Sequence, residues 1–429
     1  MSVIIICNFN VLEKYYSTEY SEIVINLNLK PIFMYDLEYS KNNEIELKDS
    51  TENTLYETVI TYSQKDKQKT IEVLKHINIV AIIPYTEDDV LDAEYFSHCL
   101  GTPSNPIETT MCRRDKFEMQ EKIKMNGLTS INQKKCSTLS DINEFVSGKS
   151  NIKYVIKPIH GAASEDVYLC KNLYELHKRF NQMINKKNNC DIVNSECLVQ
   201  EFIDGEDWIV NSVSRNGIHK IVNVMRSYKT VINDREFMYI ETSLINAKDV
   251  PHELCIYAIN LLNALDIKNG AGHAEIKLSS NGPCLIEIGA RVGGAQYECA
   301  LSKCIKNNYG QLKATIYSYC DGKLFNEIPN MYSNANELYR CITVNNLYDS
   351  IVWNDRYMNN LLHQLNAFVV VHKISHGCNN GDVISKTQDL LTIIARLFIT
   401  SECENKLKNA LSIVKKWEVD LCNQILLVQ

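Results

Sequence analysis

The segment from Lys268 to Gln296 restricts the fold more than any other part of the sequence. Two alternating runs, His273–Leu278 and Cys284–Ile288, flank the turn-forming cluster Ser279–Pro283. This pattern predicts a β-hairpin, because strand side chains alternate between two faces and a cluster of Ser, Asn, Gly and Pro marks the turn. The two faces of such a hairpin would have very different chemistry.

Polar side chains are expected on one face of the hairpin: His273, Glu275 and Lys277 from the first run, and Glu287, Gly289 and Arg291 from the second. Ile286 and Ile288 are expected on the opposite face. Symmetric pairing about Asn281 places Glu275 directly opposite Glu287, with their Cβ atoms roughly 5 Å apart.

Two carboxylates in that position repel each other unless a cation lies between them. Mg²⁺ is the obvious candidate, because it takes oxygen ligands at about 2.1 Å. Arg291 would project beside the metal, and Gly293 and Gly294 would let the backbone approach a ligand closely. The alternative is a surface hairpin with two solvated glutamates, and the hairpin alone leaves both interpretations open.

Composition and length limit the class of protein. A chain of 429 residues is too long for one core, so two or three domains are expected. The net charge of -7 and the lack of a long basic block argue against nucleic acid as a partner. There is no signal peptide pattern and no apolar run of about 18 residues, so no membrane association is expected. The 16 scattered cysteines include no CxxC pair, which favours reduced thiols and a cytoplasmic location.

The first 105 residues are typical of a small α/β unit with a parallel sheet. Candidate strands are Val3–Cys7, Pro31–Tyr35 and Ile79–Pro84, with helical patterns such as Thr70–His76 between them. Glu87 follows the third strand, where ligands usually bind, and is a candidate for holding a substrate amine. Alternatively, Glu87 begins the helix Asp89–Leu100 and complements its dipole.

A second unit begins after the turn-rich segment Gly101–Pro106. A helix carrying Arg113 to Lys116 is expected to run to about Met125. A strand then ends in Lys157-Pro158, and a loop of small residues connects it to the strand Val167–Cys170. This arrangement resembles the loop that covers phosphates between two strands in kinases.

More strands follow up to the opening hairpin. Leu198–Ile203 is an apolar strand, and Asn216-Gly217 between two alternating runs is a strong hairpin signal. Arg226–Tyr239 is polar and mixed, and is interpreted either as a lid over a phosphate-bearing site or as a solvated loop. The helix Glu253–Leu265 leads into the hairpin. Residues 323–429 contain further strands and a helix, but no motif, and are expected to be mainly structural.

Together, these motifs resemble the ATP-grasp superfamily. The resemblance covers roughly residues 80–320 and depends on HAEIKL followed by CLIEIGARVGG, with the Lys-Pro loop and QEFIDGED upstream. Within the superfamily the chain looks most like the L-amino acid ligases that make dipeptides, and next like carnosine-synthase-type enzymes.

The resemblance implies an α/β fold of the α+β ATP-grasp type with three domains. These would be an N-terminal parallel α/β domain (1–105), an ATP-grasp core (106–322) with a small lid subdomain at about 110–200, and a C-terminal α+β domain (323–429).

The resemblance also implies roles in nucleotide and metal binding. Lys116 and Lys157 would contact the phosphates of ATP, and Ala162, Ala163 and Ser164 would lie in the loop that covers them. The remaining roles are an adenine hinge at Glu201, Phe202 and Ile203, ribose binding by Asp207, and a Mg²⁺ site, also open to Mn²⁺, at Glu275 and Glu287.

For catalysis, the resemblance implies that Arg291 and the Gly294 N–H stabilise the oxyanion of acyl transfer. His273 would contact phosphate or act as a base, with a structural role as the alternative. The sequence departs from the family pattern twice. Gly289 replaces the Asn that often completes a second metal site, and Asp207 replaces a Glu, a substitution for which the neighbouring Glu206 could compensate.

The resulting hypothesis is an ATP-dependent carboxylate–amine ligase that joins two amino acids through an acyl phosphate and releases ADP and phosphate. Its partners would be ATP and amino acids; homodimers are common in the family, but the oligomeric state stays open. The alternatives are a purine-pathway or bicarbonate-activating ATP-grasp enzyme, and a non-catalytic ATP-binding regulatory module.

Overall fold

The structure is a computed structural model that describes residues 1–6, 17–37, 58–149, 153–159, 166–187, 193–294, 297–376 and 378–426. Among these residues, none of the helices combines the length and the apolar character that crossing a bilayer requires. The described part of the chain mixes α and β structure, and the predicted fold class is confirmed.

The N-terminal segment forms a four-stranded parallel sheet with the strand order β3-β2-β1-β4. Its strands are β1 (Ser2–Ile6), β2 (Lys30–Asp36), β3 (Thr58–Tyr62) and β4 (Ile79–Pro84), and its helices are α1 (Ser17–Asn26), α2 (Lys67–Leu74) and α3 (Asp89–Leu100). The predictions for β4 and α3 agree with the structure residue for residue, because apolar runs with clear ends mark both. The helix predicted at Thr70–His76 begins three residues earlier, where the Asp66 side chain accepts a hydrogen bond from the Lys69 N–H.

The helix expected from Arg113 begins later, which corrects that prediction. Residues Ile107–Arg113 form a 3₁₀ helix, and the α-helix α4 follows (Lys116–Met125). Asp115 separates the two as an N-cap, because its carboxylate accepts hydrogen bonds from the Phe117 and Glu118 N–H groups at 2.7 and 3.1 Å.

A second, antiparallel sheet of four strands has the order β5-β8-β6-β7. It comprises β5 (Gln133–Cys136), β6 (Tyr154–Pro158), β7 (Tyr168–Cys170) and β8 (Cys197–Glu201), with helices α5 (Leu139–Val146) and α6 (Leu173–Met183). These two helices cover one apolar face of the sheet, where Ile142 and Phe180 are buried. Part of the sheet also contacts α4, because the Gln133 side chain donates to the Phe117 carbonyl.

A central antiparallel sheet of eight strands holds the rest of the chain together, in the order β13-β12-β9-β10-β11-β14-β18-β16. Its first five strands in chain order are β9 (Glu206–Arg215), β10 (Ile218–Ile232), β11 (Arg235–Leu244), β12 (Gly270–Ser279) and β13 (Gly282–Gly289). The predicted turn at Asn216-Gly217 is confirmed, since both residues have positive φ (50° and 78°), as tight hairpins require.

The segment Arg226–Tyr239 is not a solvated loop. It forms the second half of β10 and the first half of β11, which meet at a turn where Asn233 and Asp234 have positive φ. Lys229 on β10 pairs with Tyr239 on β11, so the segment belongs to the central sheet.

The C-terminal third adds three strands to the same central sheet. The remaining elements are helices α7 (His252–Ala264), α8 (Glu298–Leu301), α9 (Gln311–Cys320), α10 (Gly322–Glu327), α11 (Asp355–Leu365) and α12 (Glu404–Leu426), and strands β14 (Leu338–Val344), β15 (Ile351–Val352), β16 (Val370–His376), β17 (Val383–Ile384) and β18 (Ala395–Ser401). The boundaries of the three domains stay predictions, although strands from both sides of residue 322 pair directly in β11 and β14.

A buried ion pair fastens the N-terminal segment to the core of the protein. The fully buried Arg113 guanidinium donates hydrogen bonds to both carboxylate oxygens of Glu94, on α3, at 2.8 and 2.6 Å. It also donates to the Leu265 carbonyl, just after α7, at 3.0 Å. Since every partner is protein, the loss of the cation would leave Glu94 charged and buried.

We therefore expect Arg113→Met to lower the free energy of unfolding by about 3–5 kcal/mol, as is typical when one partner of a buried pair is removed. Urea unfolding followed by circular dichroism measures this change. The matched control is Lys134→Met, which removes a surface ion pair with Glu144 and should change the unfolding midpoint little. Equal midpoints for the two variants would contradict the role of Arg113.

Candidate active site

A cavity of about 340 Å³ lies between the four-stranded antiparallel sheet (β5-β8-β6-β7) and the central sheet. The four-stranded sheet and the segment that follows it contribute Val155, Lys157, Pro158, Gln200, Glu201, Phe202 and Ile203. The central sheet contributes Asp207, Ile209, Lys229, Phe237, Tyr239, Thr242, His273, Glu275, Lys277, Ile286, Glu287, Cys341, Thr343 and Arg396. Other elements contribute Lys116, Ile131, Val167, Arg291, Gly294 and Leu390.

The predicted pairing of the two glutamates is confirmed, although the strands are shifted by one residue nearer the turn. Glu275 on β12 pairs with Glu287 on β13, and both side chains line the cavity. A bulge follows this pair, because Ile276 is opposite Leu285 and leaves Ile286 as the extra residue. The prediction that Ile286 faces away from the metal side is therefore wrong: Ile286 lines the cavity, whereas Ile288 is buried in the core.

Lysines surround the two glutamates. The Lys116 Nζ lies 3.5 Å from a Glu287 oxygen, and the Lys229 Nζ lies 3.5 Å from a Glu275 oxygen. Burial by itself would raise the pKa of Glu287, but Lys116, Lys157 and Arg291 outweigh it and lower that pKa to about 2. Glu287 is therefore ionised at neutral pH. Protein cations already balance the charge of the glutamate pair.

Lys157 is the most buried lysine of the cavity, with 5% of its surface exposed. It ends β6, the strand that precedes the loop of small residues. Burial lowers the pKa of Lys157 to about 8, with Glu287 and Glu275 acting in the opposite direction. Its charge at neutral pH thus depends on nearby carboxylates or on an anionic ligand.

Asp207 lies between two lysines. It accepts a hydrogen bond from Lys277 at 2.7 Å and a longer one from Lys229 at 3.3 Å. Burial favours the neutral form of Lys229, but Tyr239, Glu275 and Asp207 outweigh it and raise the pKa of this lysine. Lys229 therefore stays protonated and links the predicted ribose-binding residue to the predicted metal ligand.

The hinge predicted at Glu201, Phe202 and Ile203 is partly occupied by protein hydrogen bonds. The N–H of Glu201 donates to the Asn132 carbonyl, and that of Phe202 donates to the Lys153 carbonyl. For the Ile203 N–H, the described residues offer no acceptor, so this group is open to the edge of a base. The Phe202 and Phe237 rings, 6.2 Å apart, supply apolar surface beside it.

Arg291 lines the cavity and forms an ion pair with Glu87, which is not itself among the lining residues. The Arg291 Nε donates to a Glu87 carboxylate oxygen at 3.0 Å, so Glu87 is paired with Arg291 and is not simply a charge at the start of α3. The contact depends on Gly289, because a Cβ at that position would lie 2.7 Å from the same Glu87 oxygen. A glycine where the family often has Asn therefore makes room for a carboxylate from the N-terminal segment.

His273 has a defined protonation state. Its Nδ1–H donates to the side-chain oxygen of Asn211 at 2.7 Å, and the Asn211 amide donates to Asn223 at 2.6 Å. Burial, reinforced by Arg291, lowers the pKa of His273 to about 3. The imidazole is therefore neutral, and its Nε2 is a hydrogen-bond acceptor.

Of the remaining predicted site residues, Gly294 lines the cavity, whereas Ala162, Ala163 and Ser164 lie outside the described residues. Sequence reasoning assigned no role to four residues that line the cavity: Lys229, Tyr239, Lys277 and Arg396. Lys277 follows Glu275 in the alternation of β12, whereas Lys229 lies in a segment whose sequence shows no clear alternation. Nothing in the sequence near Arg396 marks it.

The donor set fits Mg²⁺ better than a transition metal. No group of three or more His, Cys, Asp or Glu side chains with metal-binding geometry occurs in the described ranges. Two carboxylates are what a Mg²⁺ ion needs when phosphate oxygens and water complete its coordination. Glu275 and Glu287 would hold such an ion.

Comparisons with known proteins identify the class of domain and fold to which this chain is similar. Residues 150–299 match the family model for an ATP-grasp domain. The structure of L-amino acid ligase from Bacillus licheniformis superposes with a TM-score of 0.74 and 15% identity over 97% of each chain. The chain therefore contains an ATP-grasp domain and has the fold of ATP-grasp ligases, as the resemblance predicts.

Two relatives with known names are similar to the chain in sequence. The chain is 32% identical to dapdiamide A synthase from Enterobacter agglomerans over 235 residues, which cover 54% of this chain and 55% of that protein. It is 23% identical to L-arginine-specific L-amino acid ligase from Bacillus subtilis over 360 residues, or 82% of each chain. The alignment thus spans about half the length of the first relative.

The low pKa of Lys157 predicts how ATP binding depends on pH. We expect the affinity for ATP to fall as pH rises through about 8, because Lys157 then loses the charge that attracts the triphosphate. Calorimetric titration at several pH values measures this dependence.

The variant Lys157→Arg serves as the control, since arginine stays protonated over the whole range and should remove most of the decline. An unchanged pH dependence in this variant would separate Lys157 from the phosphates.

Proposed function

We propose that this protein is an ATP-dependent carboxylate–amine ligase that joins two amino acids into a dipeptide through an acyl phosphate. The observation that carries the proposal is the pair Glu275–Glu287, which faces a cavity together with Lys116, Lys157 and Lys229. Two carboxylates beside several lysines match the charges of a triphosphate and its metal ion.

Charge neutralisation is the main contribution of the protein to the first step. A substrate carboxylate oxygen attacks the γ-phosphorus of ATP, the bond to the bridging β–γ oxygen breaks, and ADP leaves. Lys116 and Lys157 would hold the phosphates in line and balance their charge. Mg²⁺ bound by Glu275 and Glu287, or Mn²⁺ in its place, would supply further charge neutralisation.

In the second step an amine attacks the carbonyl carbon of the acyl phosphate, and inorganic phosphate leaves. Arg291 and the Gly294 N–H would stabilise the oxyanion. The Nε2 of His273 would accept an N–H of the attacking amine. Since His273 is neutral and donates from Nδ1 to Asn211, this acceptor role fits better than a contact with phosphate.

The Glu87–Arg291 pair supports amino acids as substrates. An α-amino acid carries an ammonium and a carboxylate on adjacent atoms, and it could replace the ion pair with two matched contacts, ammonium to Glu87 and carboxylate to Arg291. This would also explain why a carboxylate from the N-terminal segment reaches the reaction centre. The names of the relatives, which include an L-arginine-specific L-amino acid ligase, point to the same substrate class.

The alternatives fit the cavity less well. A regulatory module would need a nucleotide pocket but not the Glu87–Arg291 pair beside the glutamates. Bicarbonate has no ammonium group for Glu87 to bind, and the purine-pathway enzymes resemble this chain at 11–14% identity, which concerns the fold alone.

The reaction type can be tested by its products. Because an acyl phosphate retains the γ-phosphoryl group of ATP, we expect ADP and orthophosphate in equal amounts. The test is a screen of amino-acid pairs for phosphate release, with nucleotides separated by chromatography and the peptide detected by mass spectrometry. Stoichiometric AMP would indicate acyl adenylate chemistry and overturn the proposal.

A conservative change in the glutamate pair tests the site. We expect Glu287→Gln to lower turnover by at least about 100-fold, because it keeps the shape but removes a metal-binding oxygen and the counter-charge of Lys116 and Lys157. The same variant should lose most of the rise in melting temperature that Mg²⁺ and ATP give the wild type.

Glu144→Gln is the matched control for this change, since Glu144 lies on the surface in contact with Lys134. It should behave like the wild type in both assays. Near-normal turnover in Glu287→Gln would end the assignment of the glutamate pair to catalysis.

A further inference from the structure

We propose that Arg396 binds the carboxylate of the second amino acid, the one that supplies the attacking amine. The inference rests on the proposed ligase function and adds a substrate-binding residue from the C-terminal third of the chain.

Six cationic side chains line the cavity: Lys116, Lys157, Lys229, Lys277, Arg291 and Arg396. The first five lie near carboxylates of the protein: Glu287 for Lys116 and Lys157, Glu275 and Asp207 for Lys229, Asp207 for Lys277, and Glu87 for Arg291. Arg396 differs, because none of the described residues forms a hydrogen bond or an ion pair with its guanidinium. It is the cavity cation with the greatest capacity to bind an anion from outside.

An arginine side chain binds anions over the whole physiological pH range. Lys157 can lose its proton in a buried position, whereas a guanidinium stays charged at any physiological pH and presents two parallel N–H groups to a carboxylate. Arg396 is half-buried on β18, so its charge is partly removed from water without a compensating carboxylate from the part of the chain that the structure describes. A bound carboxylate would supply that compensation.

The curvature of the central sheet brings distant strands to the same cavity. The Tyr239 hydroxyl, on β11, lies 3.3 Å from a Glu275 oxygen on β12, although β9 and β10 separate these strands in the sheet. β14 and β18 continue the sheet beyond β11, and Thr343 and Arg396 are paired across them. Arg396 therefore faces the nucleotide and metal residues from the opposite side of the cavity.

The chemistry of the proposed reaction identifies the anion. Two amino acids bring two α-carboxylates, of which the first is phosphorylated and consumed, while the second remains charged throughout. The phosphates have Lys116 and Lys157, and the first amino acid has Glu87 and Arg291. The carboxylate of the second amino acid has no other free cation in the described lining, and Arg396 fits it.

Uncharged residues of the lining accompany Arg396. Thr343 pairs with it across β14 and β18, and Cys341 and Leu390 also line the cavity. Burial raises the pKa of the Cys341 thiol to about 11, so it stays protonated beside the arginine. The guanidinium thus supplies the only charge among these four residues, and it would position an amino acid whose amine points back towards Arg291.

The test compares a nucleophile that has an α-carboxylate with one that lacks it. Each amino acid that is active as nucleophile in the phosphate-release screen is assayed beside its own α-carboxamide, for example L-valine beside L-valinamide. We expect the wild type to show a KM about 10- to 100-fold lower for the free acid, in line with a charged hydrogen bond. In Arg396→Gln the two nucleophiles should become equal, with the KM for ATP unchanged.

Arg396→Lys keeps the charge and should restore part of the preference for the free acid, which a merely structural role of Arg396 would not predict. Arg356→Gln is the matched control, because Arg356 is exposed at the start of α11, and it should retain the full preference. Unchanged ATP binding by Arg396→Gln confirms that this variant is folded.

Three results would overturn the inference. A wild type that ligates the amide as well as the free acid has no carboxylate site, and an Arg396→Gln variant that keeps the preference places the site elsewhere. A raised KM for ATP, with the preference intact, would assign Arg396 to the nucleotide. By contrast, a wild type without amino-acid-dependent ADP release would contradict the proposed function itself.

Discussion

The charge balance across β12 and β13 is the constraint on which the rest of the site depends. Two glutamates opposite each other in a sheet would destabilise it, because like charges at that distance repel. Lys116 from α4, Lys157 from β6 and Lys229 from β10 converge on the pair and remove this penalty. Each lysine comes from a different element, so the two sheets and α4 must all be in place before the glutamates are tolerated.

The same balance prepares the cavity for a ligand that carries both signs of charge. The lysines attract phosphate oxygens, while the glutamates attract a divalent cation, and a metal–triphosphate complex satisfies both sets at once. A ligand with phosphates alone would leave the glutamates paired with the lysines it needs. Under the proposed function, the site would therefore favour the complex of nucleotide and metal over either component.

The hairpin was predictable because its signal is local. Alternation and turn residues determine which side chains share a face, and they were sufficient to pair Glu275 with Glu287. The bulge that turns Ile286 into the cavity was not predictable, since one extra residue leaves the alternation of the sequence almost unchanged. Lys229 was missed as a site residue for a related reason: a long strand with a polar face looks like a loop when the sheet that contains it is unknown.

Arg396 illustrates the limit of motif reading most clearly. It lies about 100 residues beyond the hairpin in a region without a recognisable pattern, and only the pairing of β11 with β14, and of β14 with β18, brings it to the cavity. Long-range strand pairing of this kind depends on the packing of the whole sheet. No local rule based on alternation or turns could have found it.

Gly289 shows how one small residue can connect two parts of the chain. A Cβ at this position would lie 2.7 Å from the Glu87 oxygen that accepts from Arg291, so the carboxylate would have to shift away from its present contact. With glycine, the loop after β4 of the N-terminal sheet brings the Glu87 carboxylate next to β13, the strand that carries Glu287. What looks like the loss of a metal ligand in the sequence is, in the fold, the space that admits an acidic group from another part of the chain. Under the proposed function, Glu87 would give this end of the cavity a contact for an ammonium group in place of a second metal ligand, and an ammonium group is what distinguishes an amino acid from a simple carboxylate.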